Sequence, residues 1–183
     1  MIDQRTELEV INLPPGEMYL ARRPMMLQTI LGSCVSATFW CARLGIGALC
    51  HGVLPVCPDP WNPRASVGDG YRYVDFSIRS LAQTFAQLGA RRDEVEVKLF
   101  GGADVIPVLA RRLDRQTVGS MNAEIARQIV ESEGLRIRSF DLKGTRGRKI
   151  FFDTGTGEVL VKKLKQHEPD PERSSLTPSF LRA

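Results

Sequence analysis

The chain has 183 residues and a formal net charge of +4, and 43% of its residues are hydrophobic and 25% charged. These values are typical of a soluble globular protein with one domain large enough to bury its own core. No apolar run is long enough for a transmembrane helix, and the N-terminus lacks the basic and apolar regions of a secretory signal. We therefore expect a cytoplasmic protein that does not insert into membranes.

The four cysteines do not predict a disulfide scaffold or a metal site. They are Cys34, Cys41, Cys50 and Cys57, and no pair has the C-x-x-C spacing of a zinc knuckle. Adding His51 gives a loose series that matches no common zinc site. We therefore expect no metal and no cofactor.

The basic residues are scattered along the chain, which favours a solvated surface. A basic face that steers the protein towards an acidic partner stays open as an alternative. Nucleic acid is not an expected partner, because the sequence contains no basic helix or aromatic-studded strand of the usual reader modules.

The chain divides into a short lead-in, one domain and a tail. We expect residues 1–16 to form an N-terminal lead-in that ends in a turn at Leu13–Gly16, and residues 17–165 to form the folded domain. Residues 166–183 are rich in Pro, Glu, Arg and Ser, which predicts a disordered C-terminal tail.

Apolar segments in the first third of the domain predict four strands: Glu17–Ala21, Met25–Leu31, Val35–Cys41 and Gly45–Val53. The last two are expected to form a hairpin with a two-residue loop at Ala42 and Arg43. In that hairpin Cys41 faces Leu44.

Counting back from this loop places Cys34 directly opposite His51. Side chains alternate along a strand, so the two residues share one face, where opposed Cβ atoms lie roughly 4.5–5.5 Å apart. Their expected neighbours on that face are Ser36, Thr38, Gly47 and Leu49. Cys50 falls on the other face, opposite Val35, and is too far along the strand from Cys41 to favour a disulfide.

Residues 56–70 are rich in Pro and Gly and predict a long loop. The loop leaves the strand that carries His51, so it is a candidate for substrate access. Asp75 is the expected N-cap of an amphipathic helix that ends at Gly89. A half-buried strand then covers Val95, Val97 and Leu99 and runs into the paired glycines Gly101 and Gly102.

The remaining elements are a short helical piece, a second helix and three strands. The helical piece lies within residues 104–115, and the second helix opens at Gly119 or Ser120, turns Met121, Ile125, Ile129 and Val130 inward and ends at Gly134. The strands are Leu135–Leu142, Lys149–Asp153 and Glu158–Leu164. This order predicts a mixed, largely antiparallel α/β sandwich rather than a doubly wound parallel sheet.

Cys34 follows a Gly32-Ser33 turn, which is a favourable place for a nucleophile. A neighbouring imidazolium or the N–H groups of a tight turn would lower the pKa of its thiol. The same N–H groups could hold an oxyanion, and His51 could protonate a leaving group and then activate water. The competing interpretation is a buried apolar cysteine beside a core histidine bonded to the backbone.

A complete site needs a third group that orients the imidazole. Thr29, Tyr73, Asp75 and Asp104 are candidates, and the sequence does not rank them.

Two segments hold the cysteine and the histidine: Thr29–Val35, and Gly47–His51 with Leu54-Pro55. They resemble the nucleophile motif and the histidine motif, at the same spacing, of the chemoreceptor glutamine deamidase family (CheD). The resemblance extends from about residue 17 to residue 164. Its further segments are Tyr73–Asp75, Lys98–Ala103, Val118-Gly119 with Asn122, Asp141 and Gly147–Ile150.

The resemblance implies a protein-glutamine glutaminase, a hydrolase that converts glutamine side chains of chemoreceptors to glutamate in chemotaxis. Cys34 would be the nucleophile, His51 the base and acid, and Thr29 the third member, although Gln28 would align with the threonine of some members. Independently of the resemblance, the chemistry of the tight turn makes Gly32 and Ser33 the candidates for holding the oxyanion.

Four residues are candidates for substrate contact or support: Tyr73, Asp75, Gly101 and Gly102. The resemblance also implies a β-sandwich flanked by helices, chemoreceptor cytoplasmic helices as protein substrate and a CheC-type phosphatase as a further partner. The alternative is a non-catalytic module that contacts receptors or the phosphatase.

Overall fold

Two β-sheets and a layer of helices make up the computed structural model, which describes residues 8–59, 67–104 and 116–165. The strands are β1 (Val10–Asn12), β2 (Met18–Ala21), β3 (Met26–Leu31), β4 (Val35–Cys41), β5 (Ile46–Cys50), β6 (Glu96–Gly101), β7 (Arg136–Leu142), β8 (Arg148–Asp153) and β9 (Val159–Lys163). The helices are α1 (Val67–Gly70), α2 (Val74–Gln87) and α3 (Val118–Ser132), with 3₁₀ turns at Ala42–Leu44 and Arg92–Glu94.

The first sheet has the strand order β1-β3-β8-β9, and the second has the order β2-β5-β4-β6-β7. The pairings β1–β3 and β6–β7 are parallel, whereas the other described pairings are antiparallel. The expected mixed, largely antiparallel sandwich flanked by helices is therefore confirmed.

Strand β4 lies at the centre of the molecule because both of its faces are buried. Val35 and Phe39 face the helices and join one apolar cluster with Ile78 and Leu81 of α2. Trp40 faces the first sheet and contacts a second cluster, which lies between the sheets. This period of two places the side chain of Cys34 on the side between the sheets.

The prediction of a two-residue hairpin loop between β4 and β5 is wrong. The chain instead makes a 3₁₀ turn at Ala42–Leu44, and Gly45 closes it with a left-handed φ of 61°. Cys41 therefore pairs with Ile46 rather than with Leu44. The two extra loop residues shift the register by two, which preserves the face of each side chain.

Helix α2 begins earlier than expected. Its N-cap is Tyr73, not Asp75, and the helix runs from Val74 to Gln87. The Asp75 carboxylate accepts hydrogen bonds from the backbone N–H groups of Cys57 at 2.9 Å and Phe76 at 2.7 Å. Asp75 thus fastens the start of the 56–70 segment to the helix.

Helix α3 begins after Thr117, whose hydroxyl accepts a hydrogen bond from the N–H of Ser120 at 3.1 Å. Its buried side includes Asn122, Ala123 and Ala126 besides the expected Ile129 and Val130.

Part of the expected lead-in belongs to the folded sheets, because β1 pairs with β3. The helical piece expected within residues 104–115 lies largely outside the described residues, as do residues 60–66 of the long loop and the expected tail from residue 166. Within the described chain, no helix is long and apolar enough to cross a membrane.

Candidate active site

Thr29 and His51 come from different sheets and meet between them. Thr29 lies on the inner face of β3, and His51 directly follows β5. The Thr29 hydroxyl lies 2.8 Å from Nδ1 of His51, and the two residues are only 5% and 1% exposed. Thr29 is therefore the candidate that reaches the imidazole.

The hydrogen bonds of Thr29 fix which nitrogen of His51 carries a proton. Its hydroxyl donates to the carbonyl of Leu13 at 2.8 Å, and a carbonyl can only accept. The single hydroxyl proton is then used, so Thr29 accepts from Nδ1–H. Nε2 consequently carries the lone pair of the neutral imidazole, and this buried atom has no hydrogen-bond partner among the described residues.

The alternative alignment at Gln28 does not fit this geometry. Gln28 points to the opposite face of β3, where its amide donates to the exposed side chain of Asn12 at 2.6 Å. The other candidates are also bonded elsewhere: Asp104 accepts a hydrogen bond from the Thr117 hydroxyl, and Asp75 holds Cys57.

Cys34 and His51 share a face, as expected, but they are not directly opposed. The bridge between Val35 and Gly52 places Ser36, rather than Cys34, opposite His51. Cys34 is the diagonal neighbour, and such positions lie roughly 7–8 Å apart at Cα, within reach of a long side chain. The Ser36 hydroxyl donates to the carbonyl of Cys50 at 2.5 Å.

The turn before β4 is held by its carbonyl groups. The carbonyl of Gly32 accepts from the N–H of Ala103 and that of Cys34 from the N–H of Gly102, each at 2.8 Å. The carbonyl of Ser33 accepts from the side chain of Asn122 at 2.9 Å. In trans peptides the N–H points away from the carbonyl, so the N–H groups of this turn point away from these anchors.

Gly101 is buried, so it is not placed to contact a substrate. It instead supports the turn, because its backbone lies close to the carbonyl of Cys34. Its φ is 109°, and a Cβ atom there would lie 2.1 Å from the carbonyl oxygen of Cys34. Gly102 has a φ of 66° and packs against Gly119 at the start of α3. Tyr73 is half-buried and bridges to Leu54 beyond the histidine strand.

Burial favours the neutral forms of both proposed catalytic groups. It lowers the pKa of His51 from 6.5 to about 4, against a smaller opposing effect of the Leu13 carbonyl. It raises the pKa of the Cys34 thiol above 9.0, an effect that the hydrogen bond from its own backbone N–H opposes. The imidazolium expected beside the thiol is therefore not the resting form, and both groups rest neutral on the face that they share.

Two contributors to this geometry are missing from the sequence-based site. Leu13, in the expected lead-in, provides the carbonyl that takes the Thr29 proton, and no sequence pattern identifies such a backbone group. Asn122 stands out in the sequence only as part of a motif, and the signal that could identify its role is a polar residue on the apolar side of α3.

The other cysteines lie apart from this chemistry. Cys41 and Cys50 belong to the apolar cluster under the helices, and all four cysteines are free thiols. Cys50 lies on the face away from Cys34, as expected, although its backbone position opposes Ala37 rather than Val35. Among the described residues, no three His, Cys, Asp or Glu side chains are grouped to hold a metal ion.

Comparison with known proteins identifies the family. The family model described as CheD chemotactic sensory transduction matches residues 56–163. The "Probable chemoreceptor glutamine deamidase CheD 2" of Geobacter sulfurreducens is 41% identical over 93% of this chain and 99% of its own length.

Two further relatives named "Probable chemoreceptor glutamine deamidase CheD" give similar values. That of Oleidesulfovibrio alaskensis is 41% identical over 84% of this chain and 72% of its own. That of Thiobacillus denitrificans is 37% identical over 90% of this chain and 78% of its own length.

A solved structure, Bacillus licheniformis hypothetical protein YfiH, matches with 13% identity and a TM-score of 0.40 over 78% of this chain and 61% of its own. That likeness is too low to bear on function. The relatives and the family model together place the chain in the CheD family.

Proposed function

We propose that this protein is a chemoreceptor glutamine deamidase, which hydrolyses glutamine side-chain amides of bacterial chemoreceptors to glutamate and releases ammonia. The hydrogen bond from His51 Nδ1 to Thr29 carries the proposal, because it presents Nε2 as a free base on the face that holds Cys34. A core histidine satisfied by the backbone alone would not leave this buried nitrogen unpartnered.

The first half-reaction forms a thioester. His51 Nε2 takes the thiol proton as the sulfur of Cys34 attacks the amide carbon of the substrate glutamine. The N–H groups of the Gly32–Cys34 turn hold the oxyanion that forms. His51 then protonates the leaving nitrogen, the C–N bond breaks and ammonia departs.

The second half-reaction restores the protein. A water molecule gives a proton to His51 Nε2 and attacks the thioester carbon. The C–S bond breaks, the proton returns to the sulfur of Cys34, and the substrate leaves as glutamate. Thr29 holds the imidazole in one tautomer throughout both steps.

A protein substrate is consistent with the surface beside this turn. Leu54 follows Val53, whose carbonyl is bonded to Asn122, and Val118 lies one helical turn before Asn122. The side chains of Leu54 and Val118 are partly exposed, at 37% and 41%. We propose that such apolar residues contact the cytoplasmic helices of the receptors. A CheC-type phosphatase partner, a cytoplasmic location and a role of residues 56–70 in substrate access remain predictions.

The test is incubation of the protein with receptor cytoplasmic fragments, followed by peptide mass spectrometry. We expect a gain of about 1 Da at particular glutamines, as an amide becomes an acid. Cys34→Ala should abolish the gain, whereas the control Cys57→Ala should retain it. The absence of any gain with the wild-type protein across the receptors of the organism would favour the non-catalytic binding module.

A further inference from the structure

Asn122 connects the two segments that carry the proposed nucleophile and base. It lies in the second turn of α3 and is fully buried. Its Nδ2 atom donates to the carbonyl of Ser33 and to the carbonyl of Val53, both at 2.9 Å. Ser33 directly precedes Cys34, and Val53 lies two residues after His51, so one amide group holds both segments.

The orientation of this amide follows from its partners. Both partners are carbonyl oxygens, which only accept, so the nitrogen must face them. The Oδ1 atom is buried and has no hydrogen-bond partner among the described residues. An orphaned buried acceptor is costly. Because of this cost, a contribution to stability alone does not explain an asparagine at position 122.

The bond to Ser33 acts on the peptide group that contains the N–H of Cys34. A trans peptide is planar, with its C=O and N–H pointing in opposite directions. Anchoring the carbonyl on Asn122 therefore sets the direction of the Cys34 N–H. This N–H lowers the pKa of the Cys34 thiol, against the larger effect of burial. A hydrogen bond to the carbonyl also polarises the peptide and strengthens its N–H as a donor.

We propose that Asn122 is a positioning residue, which aims the backbone N–H of Cys34 at the reacting sulfur and oxyanion and keeps the cysteine turn in register with His51. The backbone bonds of Gly32 and Cys34 to Ala103 and Gly102 hold the turn on one side. Between these two bonds lies the carbonyl of Ser33, which Asn122 anchors. Among the described residues, no backbone N–H is seen to bond this carbonyl. The role rests on the proposed deamidase function.

The test compares Asn122→Ala and Asn122→Ser with Ile129→Ala, a control that weakens the core under the same helix. We expect Asn122→Ala to lower kcat about a hundredfold with little change in KM, since small displacements of reacting groups have effects of this size. Asn122→Ser, which can keep one donor, should lose less. Ile129→Ala should lose stability and retain kcat.

The second readout does not depend on deamidation. The rate of alkylation of Cys34 by iodoacetamide is measured against pH, with Cys34→Ala as the background. In Asn122→Ala the profile should move to higher pH, because the thiolate loses an aligned N–H, whereas Ile129→Ala should keep the wild-type profile. An unchanged profile in folded Asn122→Ala, or failure of both Asn122 variants to fold, would overturn the positioning role. Absent deamidation by the wild type would count against the proposed function alone.

Discussion

The hydroxyl of Thr29 and Nδ1 of His51, 2.8 Å apart, join the two sheets of the sandwich at its interior. Each residue is placed by a different sheet, so the packing of the sheets itself determines the orientation of the imidazole. The carbonyl of Leu13 then completes the arrangement by taking the Thr29 proton.

Removing the Thr29 hydroxyl should impair deamidation without unfolding the protein. Thr29→Val should lower kcat/KM about tenfold to a hundredfold, matching the roughly 1–3 kcal/mol of an orphaned buried hydrogen-bond partner. Thr29→Ser should recover most of the activity. The adjacent Gln28→Ala is the control, because Gln28 lies on the outer face of β3. Equal losses of kcat/KM in Thr29→Val and Gln28→Ala would refute the role of Thr29.

The stability of the protein should fall in mild acid because of His51. Its pKa is lowered from 6.5 to about 4 by burial, so its neutral form is favoured by folding. The associated stability is complete above pH 6.5 and is lost as the pH falls towards 4, amounting to on the order of 3 kcal/mol.

Urea unfolding at several pH values measures this loss. His51→Gln should show a smaller dependence on pH between 6.5 and 4. The other histidine of the sequence, His167, is retained in this variant. If the free energy of unfolding changes equally with pH in the wild type and in His51→Gln, His51 does not titrate in this range.

The thiol of Cys34 should behave as a neutral group in the resting protein. Its pKa is raised above 9.0 by burial, and the buried imidazole is neutral at pH 7. Alkylation of Cys34 should therefore accelerate only at alkaline pH. A rapid, pH-independent reaction between pH 5 and 7 would instead indicate a preformed thiolate–imidazolium pair.

Gly101 should be intolerant of any side chain. Gly101→Ala would place Cβ 2.1 Å from the carbonyl oxygen of Cys34 at a φ of 109°. We expect a loss of about 3 kcal/mol or more in the free energy of unfolding. Gly89→Ala is the control, because its φ of 85° carries the backbone strain but nothing lies within 4 Å of the added Cβ.

The control should cost only about 1–2 kcal/mol, measured by urea denaturation. Similar losses in the two variants would show that contact with the cysteine turn is unimportant.

The sequence predicted the strands well because their apolar residues alternate with a clear period. Val35–Cys41 was predicted with the bounds that the structure has, and the shared face of Cys34 and His51 followed from the same period. The register was wrong by two, since nothing in Ala42-Arg43-Leu44 distinguishes a tight turn from a 3₁₀ turn closed by Gly45.

The third residue of the site could not be ranked from the sequence for a different reason. The contact between Thr29 and His51 depends on how two separate sheets pack, which local patterns do not encode. The anchoring of the turn by Asn122 depends likewise on the docking of α3. The neutral state of the thiol and imidazole follows from burial, which is a property of the whole fold.

The most direct measurement of the central claim is the mass of the protein during turnover of a receptor peptide that contains a reactive glutamine, quenched in acid. The account predicts a covalent adduct of peptide minus about 17 Da, the mass of ammonia, on Cys34. Cys34→Ala should form no adduct and release no ammonia. Deamidation of the peptide at the wild-type rate by Cys34→Ala would contradict the account.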